Sequence, residues 1–353
     1  MEKISCVIEV LTPMFLGGAP QEINKKPICE LRAQSIKGVI RYWYRALVGP
    51  DRLKEEAELF GSSDEKIGVS KIKIIISNRS DVTIKKVEAL QGYSFPYLKQ
   101  YEIKDTVTTP KGRQNITINP LYYLAYGPAE YYKAERGLKI SRSYIQQDSQ
   151  FTLKFILYNC NSAHTKDFYK SLYLMFNFGG LGSRSRKGYG AIKLLNEDDI
   201  FNGHDWFIKG DITNTLKNII NNKSPIKPMY SKEYSYLDTG TRFWLSKETS
   251  NKWEECLSML GKHYRGWRQV LPVADGRENL GTPLLHGKNG IKDQRRASSY
   301  FLTVFKLNGN EYKYGVLHIP SNYSDKRMIL FNVQQEHHAK FQEEIEKTAT
   351  KEV

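Results

Sequence analysis

Apolar and polar residues alternate over residues 3–11. Ile4, Cys6, Ile8 and Val10 fall on one side and Ser5, Val7, Glu9 and Leu11 on the other, the period of two that predicts a strand. Pro13, Gly17 and Gly18 end it. The period then lengthens: Ile36, Ile40, Trp43 and Leu47 share one helical face, with Ser35 placed as N-cap and Gly49-Pro50 as the stop. Residues 71–77 predict a second strand, and Phe151, Leu153, Phe155 and Leu157 alternate in a third. A helix over about 166–178 follows, carried by Phe168, Leu172, Met175 and Phe176 and closed by Gly179-Gly180. A last strand is expected from Tyr189 to Leu195. Strand, helix, strands, helix, strand is the order of a ferredoxin-like unit, with helices on one face of an antiparallel sheet.

The second half repeats the theme. Trp253, Leu257, Leu260, Tyr264 and Trp267 form a helical stripe, and Tyr300 to Leu307, Asn308-Gly309 and Glu311 to Ile319 predict a hairpin. Three stretches have no clear period. Residues 91–147, rich in Tyr, read as an insertion that packs or recognises something. Residues 196–228, polar and Asn-rich, read as a junction with its loops, and the polar tail from Gln334 as a loose helix or a disordered end.

Charge changes the picture. The 353 residues, about two domains' worth, carry 53 Lys+Arg against 38 Asp+Glu, a net +15, and 23 are Tyr. An excess of cations on a chain this rich in aromatics points to a folded protein with a polyanionic partner. No stretch approaches the roughly 18 apolar residues of a membrane span, and the N-terminus runs straight into a strand pattern, so a soluble, cytoplasmic protein is expected. The four Cys form no CxxC pair and the seven His no HxH or HxxxH pair, so neither a metal nor a cofactor is expected.

Residues 179–190, GGLGSRSRKGYG, hold five glycines, three cations and no acid. Glycines let backbone N–H groups approach an anion and the cations neutralise it, which makes Gly180, Gly182, Ser183, Arg184, Arg186 and Lys187 candidate RNA-binding residues. The segment lacks the spacing of a P-loop and of a dinucleotide fingerprint. A basic turn between helix and strand is the other reading. Lys187-Gly188-Tyr189-Gly190 also matches the start of an RNA-recognition strand motif, but Ala191 replaces its next aromatic, which favours backbone contact over base stacking.

Lys37, Arg41 and Arg45 make a basic ribbon along the first helix, suited to a phosphate chain or to an ordinary solvated face. With Trp43 structural and Arg41 functional, Arg41→Ala is expected to leave the melting temperature nearly unchanged. Arg295 and Arg296 form a third basic cluster, which reads equally as a charged sheet edge. His263, beside Tyr264 and Arg265, is either a structural histidine or the base of a metal-independent ribonuclease. No catalytic cluster is expected.

Glu30-Leu31-Arg32, the run from Ser35 to Leu47, the upstream Thr12-Pro13-Met14-Phe15-Leu16-Gly17-Gly18 and Leu59-Phe60-Gly61 resemble the RAMP superfamily of CRISPR proteins. More narrowly they resemble the Cmr-type first RAMP subunit of the type III-B effector complex, whose late basic motif is similar to residues 293–299. The resemblance implies an α+β fold of two ferredoxin-like (RRM-like) domains. The first is expected over 1–198, with the glycine-rich loop and the insertion at about 91–147, and the second over 199–353. It also implies a non-catalytic RNA-binding and assembly subunit that caps a filament near the guide 3′ end and helps capture target RNA. The expected partners are guide RNA, target RNA and other Cmr RAMP subunits. A metal-independent RAMP endoribonuclease is the alternative.

Overall fold

A computed structural model describes the chain except residues 18–28, 65, 87–93, 110–111, 133–136, 223–234, 272–279, 282–296, 308 and 321–330. Its first half holds β1 (Glu2–Val10), α1 (Ala33–Val48), α2 (Leu53–Phe60), β2 (Ile72–Ser77), β3 (Ile84–Lys85), β4 (Ile103–Thr109) and β5 (Gly112–Ile118). Next come α3 (Pro120–Leu124), β6 (Ala129–Tyr132), β7 (Gly137–Ile140), β8 (Tyr144–Ile145), β9 (Gln150–Leu157), α4 (Ser162–Phe178) and β10 (Ile192–Leu194). The second half holds α5 (Glu197–Phe201), α6 (Ile212–Asn221), β11 (Arg242–Ser246), α7 (Trp253–Gln269), β12 (Tyr300–Lys306), β13 (Tyr312–His318), α8 (Phe331–Thr348) and β14 (Ala349–Lys351).

The first antiparallel sheet has the order β10-β1-β9-β2. Its register sets Ile4 against Phe155, Cys6 against Leu153 and Ile8 against Phe151, so the alternation in the two strands builds one apolar face. Helices α1 and α4 cover that face with Ile36, Ile40, Trp43, Leu47, Phe168 and Leu172. The second antiparallel sheet, β12-β13-β11-β14, has the same connectivity. Trp244, Leu302, Val304, Tyr314 and Val316 join α7 and α8 in a second core, while Phe243, Phe301 and Leu317 on the opposite face join the first core. Helices α1 and α4 therefore lie between the two sheets. Trp43 packs on Phe301 with ring centroids 5.1 Å apart, and Phe178 on Phe243 at 5.1 Å. Trp43 is 1% exposed, so Trp43→Ala should cost about 3–5 kcal/mol, read as a lower urea midpoint at an unchanged slope.

Several sequence expectations shift. Ser35 is not the cap: α1 starts at Ala33 behind Arg32, which caps without a side-chain hydrogen bond, and Ser35 lies inside the first turn. Helix α4 starts at Ser162 because the Asn161 side chain accepts from the His164 amide. The last strand of the first sheet shortens to Ile192–Leu194 because Tyr189 and Gly190 belong to the preceding turn. In the stretch read as junction loops, α5 and α6 bury Phe201, Leu216 and Ile219 in the first core, with Trp206 between them.

The polar tail is a structural part of the second unit. Phe341 and Ile345 of α8 are buried, and β14 pairs with β11. Within the Tyr-rich insertion β4 pairs with β5 and β6 with β7, while β8 pairs with β3, which precedes the insertion. Helix α3 packs on α7, where a Cβ on Gly261 would come within 2.9 Å of the Pro120 carbonyl oxygen.

Candidate nucleic-acid interface

The glycine-rich loop runs from the end of α4 to β10 and is woven into both units. Several of its backbone amides bond inside the chain: Leu181 donates to Gly190, Ser183 to Phe15, Lys187 to Arg184 and Gly190 to Pro13. The glycines serve close packing. A Cβ on Gly182 (φ +91°) would stand 2.6 Å from the Phe15 carbonyl oxygen, and one on Gly190 (φ +65°) 1.9 Å from that of Leu181. A Cβ on Gly180 would likewise stand 3.0 Å from the Gly190 carbonyl oxygen. On the far side the loop meets the second sheet, where Lys187 bridges Leu302 and the Leu302 amide donates to the Arg186 carbonyl.

The three loop cations divide by what they touch. Arg186 is structural: its guanidinium donates to the Ser298 carbonyl and lies 4.2 Å from the Phe301 ring centre and 4.8 Å from that of Tyr42. It ties α1 to β12. Arg184 instead points toward the insertion, 5.8 Å from the ring of Tyr126, which is 64% exposed. Its backbone sits in the left-handed region (φ 65°), a conformation that a non-glycine residue holds only where its surroundings enforce it. Lys187 Nζ lies 2.5 Å from the Tyr264 hydroxyl and 4.1 Å from the centre of that ring.

Helix α7 and the insertion complete the cluster. Arg268, one turn beyond Tyr264, donates from Nη1 to the Tyr123 hydroxyl at 2.6 Å, and its buried Nε has no hydrogen-bond partner. Burial, then Arg268, Arg184 and Arg186, push the Lys187 ammonium well below the ordinary lysine range. Burial chiefly, with Arg142 behind it, lowers Arg184. Loop, insertion and α7 thus converge four cations, Arg142, Arg184, Lys187 and Arg268, with Tyr123, Tyr126 and Tyr264. Such a group neutralises phosphates and offers ring faces beside them. Arg265, close enough to act on the Tyr123 phenol, is itself paired with Asp105 of β4.

The ribbon on α1 is engaged differently. Arg41 Nε donates to Glu56 Oε1, and Arg45 Nε lies 3.7 Å from Glu56 Oε2, on a carboxylate that is 2% exposed. The melting temperature expected to survive Arg41→Ala is therefore not what this geometry supports, because the arginine holds a buried acid. Lys37 is half-buried; with Arg41, Gly61, Ser62, Ser63 and Ser70 it lines an open cavity of about 540 Å³. Arg295 and Arg296 lie outside the described residues. His263 Nδ1 lies 2.8 Å from the Tyr314 hydroxyl, and Tyr314 donates on to the Thr348 carbonyl, so the histidine is held between α7, β13 and the end of α8. Among the described residues no three His, Cys, Asp or Glu side chains converge as a metal ion requires.

A sequence model of the RAMP superfamily matches residues 7–193, more than half of the chain. The chain belongs to the RAMP superfamily. Among CRISPR relatives it is 26% identical to the Cmr subunit Cmr1-1 of Pyrococcus furiosus over 322 residues, 82% of this chain and 81% of that one. It is 24% identical to Cmr1-2 of the same organism over 195 residues, 53% of this chain and 92% of that one. The crystal structure of Cmr1 from Pyrococcus furiosus, in the apo form, superposes over 100% of this chain and 99% of that one, with a TM-score of 0.55 and 18% identity. A chain of a type III-B Cmr-beta cryo-EM structure, bound to cognate target RNA and AMPPnP in the presence of ssDNA, covers 97% of this RAMP protein. That match spans 98% of the other chain at a TM-score of 0.50 and 14% identity. The structural likenesses bear on the fold and agree with two ferredoxin-like RAMP units.

Of the candidate residues in this RAMP chain, the structure brings Arg184 and Lys187 together and sets Arg186 to a structural task. Sequence reasoning missed Arg142, Arg268, Tyr123, Tyr126 and Tyr264 as members of the site. Tyr264 and Arg268 are spaced i, i+4 on a helix whose apolar stripe is its dominant pattern, and Tyr123 and Tyr126 lie in the insertion without a period. Among the described residues no helix is long and apolar enough to cross a membrane.

Proposed function

We propose that this RAMP protein is a non-catalytic RNA-binding and assembly subunit of a type III-B Cmr effector complex, with the junction of loop, insertion and α7 holding RNA backbone. One observation carries the reading: Arg184, Lys187 and Arg268 converge beside three tyrosines, and among the described residues no carboxylate acts on Lys187. Kinship to Cmr1 proteins supports guide RNA, target RNA and other Cmr subunits as partners. In this reading the chain caps the filament near the guide 3′ end and works in the cytoplasm. Lys37, at its own cavity on α1, is a second contact point in the proposal. Arg41, Arg45, Arg186 and the loop glycines support the surface from beneath without touching RNA themselves.

His263 supports the non-catalytic half. Burial lowers its imidazole below the ordinary range, and its Nδ1 is committed to Tyr314. Purified chain incubated with labelled single-stranded RNA, with and without divalent metal, should bind it and leave it whole. Progressive cleavage would instead favour the endoribonuclease reading. His263→Ala should leave target cleavage by a reconstituted complex intact and cost about 1 kcal/mol of stability for the lost hydrogen bond. Cleavage lost in that variant, with assembly and binding normal, contradicts the assignment.

A further inference from the structure

The two sheets are covered differently. The second is packed on both faces, by α7 and α8 on one and by the first core on the other. The first turns Ile4, Cys6, Leu153, Phe155 and Ile72 toward α1 and α4. Its opposite face is exposed near the start of β1, and the register fixes what it presents. Lys3 stands opposite Ile156 and Ile156 opposite Lys73, and in the next row Ser5, Lys154 and Ile75 stand side by side. The three lysines and Ser5 are exposed, Ile75 is 37% exposed and Ile156 is half-buried. Neither isoleucine belongs to a core. With strands about 4.8 Å apart and alternate residues about 6.7 Å along, the three lysines frame Ile156 in a triangle of about 8–10 Å a side at the backbone. The acids of β1 are engaged elsewhere: Glu2 accepts from the Tyr169 hydroxyl of α4, and Glu9 holds Lys306.

We propose that this face docks an acidic surface of a neighbouring protein subunit, which sets an apolar side chain on Ile156 and Ile75 and carboxylates on Lys3, Lys73 and Lys154. The inference rests on the assembly half of the functional reading and names the surface that assembly uses, on residues separate from the RNA-binding junction. Charge and shape choose the occupant. A sheet of this fold that binds RNA stacks bases on rings in its middle strands; here the middle strands β1 and β9 offer Ser5, Lys154 and Ile156. The nearby ring is Tyr158, 39% exposed, which stands at the rim beyond the Ile156 row, where an interface tyrosine serves equally well. A second copy meeting this face across a two-fold axis would set lysine against lysine. An exposed ion pair contributes little by itself. Three of them around an apolar contact that excludes water fix the register and reject surfaces of like charge.

The test is zero-length carbodiimide coupling, which joins an amine to a carboxylate in direct contact, applied to the full chain assembled with the other Cmr subunits of its source organism and read by peptide mapping. Links from Lys3, Lys73 or Lys154 to Asp or Glu of one neighbouring subunit are the expected result. Lys73→Glu combined with Lys154→Glu should enter the complex about tenfold less well, while the isolated variant keeps the wild-type melting temperature within a few degrees and the wild-type salt slope for single-stranded RNA. Ile75→Ser should weaken entry by a smaller factor without changing its salt dependence. No links from these lysines, with the folded double variant assembling as the wild type does, overturns the docking face and leaves the assembly reading standing. A lowered RNA salt slope in that variant, with assembly intact, makes the face an RNA surface and overturns it as well. Links confined to a second copy of this chain also overturn it. A wild-type chain that enters no complex overturns both readings.

Discussion

Replacing Arg184, Lys187 and Arg268 together by Ala should weaken single-stranded RNA binding about 100-fold at roughly 0.1 M salt and lower the salt slope by about two. Each neutralised phosphate on a single strand contributes about 0.7 to that slope, close to a fivefold effect at this salt for every phosphate left without its cation. The three side chains come from the loop and from α7, and they touch tyrosines of α7 and the insertion, so their removal empties one surface. The contrast is Arg265→Ala. Arg265 is spent on Asp105, and its removal should lower stability while leaving the salt slope unchanged. A folded triple variant with wild-type affinity and slope would remove the junction from the RNA path.

Arg41→Ala should destabilise the chain by about 3 kcal/mol, seen as a melting temperature several degrees lower. Glu56 is 2% exposed and relies on Arg41, since its second oxygen has no hydrogen bond and meets Arg45 only at 3.7 Å. Without Arg41 a buried carboxylate is left almost unpaired, which costs more than removing the acid together with its partner. Arg41→Ala combined with Glu56→Gln should therefore recover part of the loss. An unchanged melting temperature in the single variant would return Arg41 to the solvated ribbon that its spacing suggests.

Periodicity carried the parts of the fold where one face is buried and the other is not. β1, β9, α1 and α7 lie where alternation or helical spacing puts them, because burial weighted to one face writes that period directly, whereas the β12–β13 hairpin, buried on both faces, was marked by its apolar runs and the Asn308-Gly309 turn between them. The elements that escaped are those whose burial is sparse. Helix α8 buries Phe341 and Ile345 among charged neighbours, and α6 hides Leu216, Ile219 and Ile220 in an Asn-rich stretch, so composition outweighed a few anchors in each.

The candidate site was legible by half. Arg184 and Lys187 stand in a run of glycines and cations that draws attention on composition alone, but the same run suggested open backbone amides where the fold uses several of them internally. What sequence could not show is convergence. Arg268 and Tyr264 lie about 80 residues beyond the loop and Tyr123 about 60 before it, and only tertiary packing brings them together. The converse holds for Arg41 and Arg45, whose regular spacing looked like a surface feature until the fold placed Glu56 beneath them.

The most direct test of the RNA-binding junction is photocrosslinking of the full chain to a 4-thiouridine-substituted single-stranded RNA, followed by mapping of the linked peptides. Crosslinks on the peptides bearing Tyr123 and Tyr126, on the one bearing Tyr264 and on the loop around Arg184 are the expected result, all weakened by unlabelled RNA and by high salt. Crosslinks that spare all of these peptides and gather on another surface would contradict it.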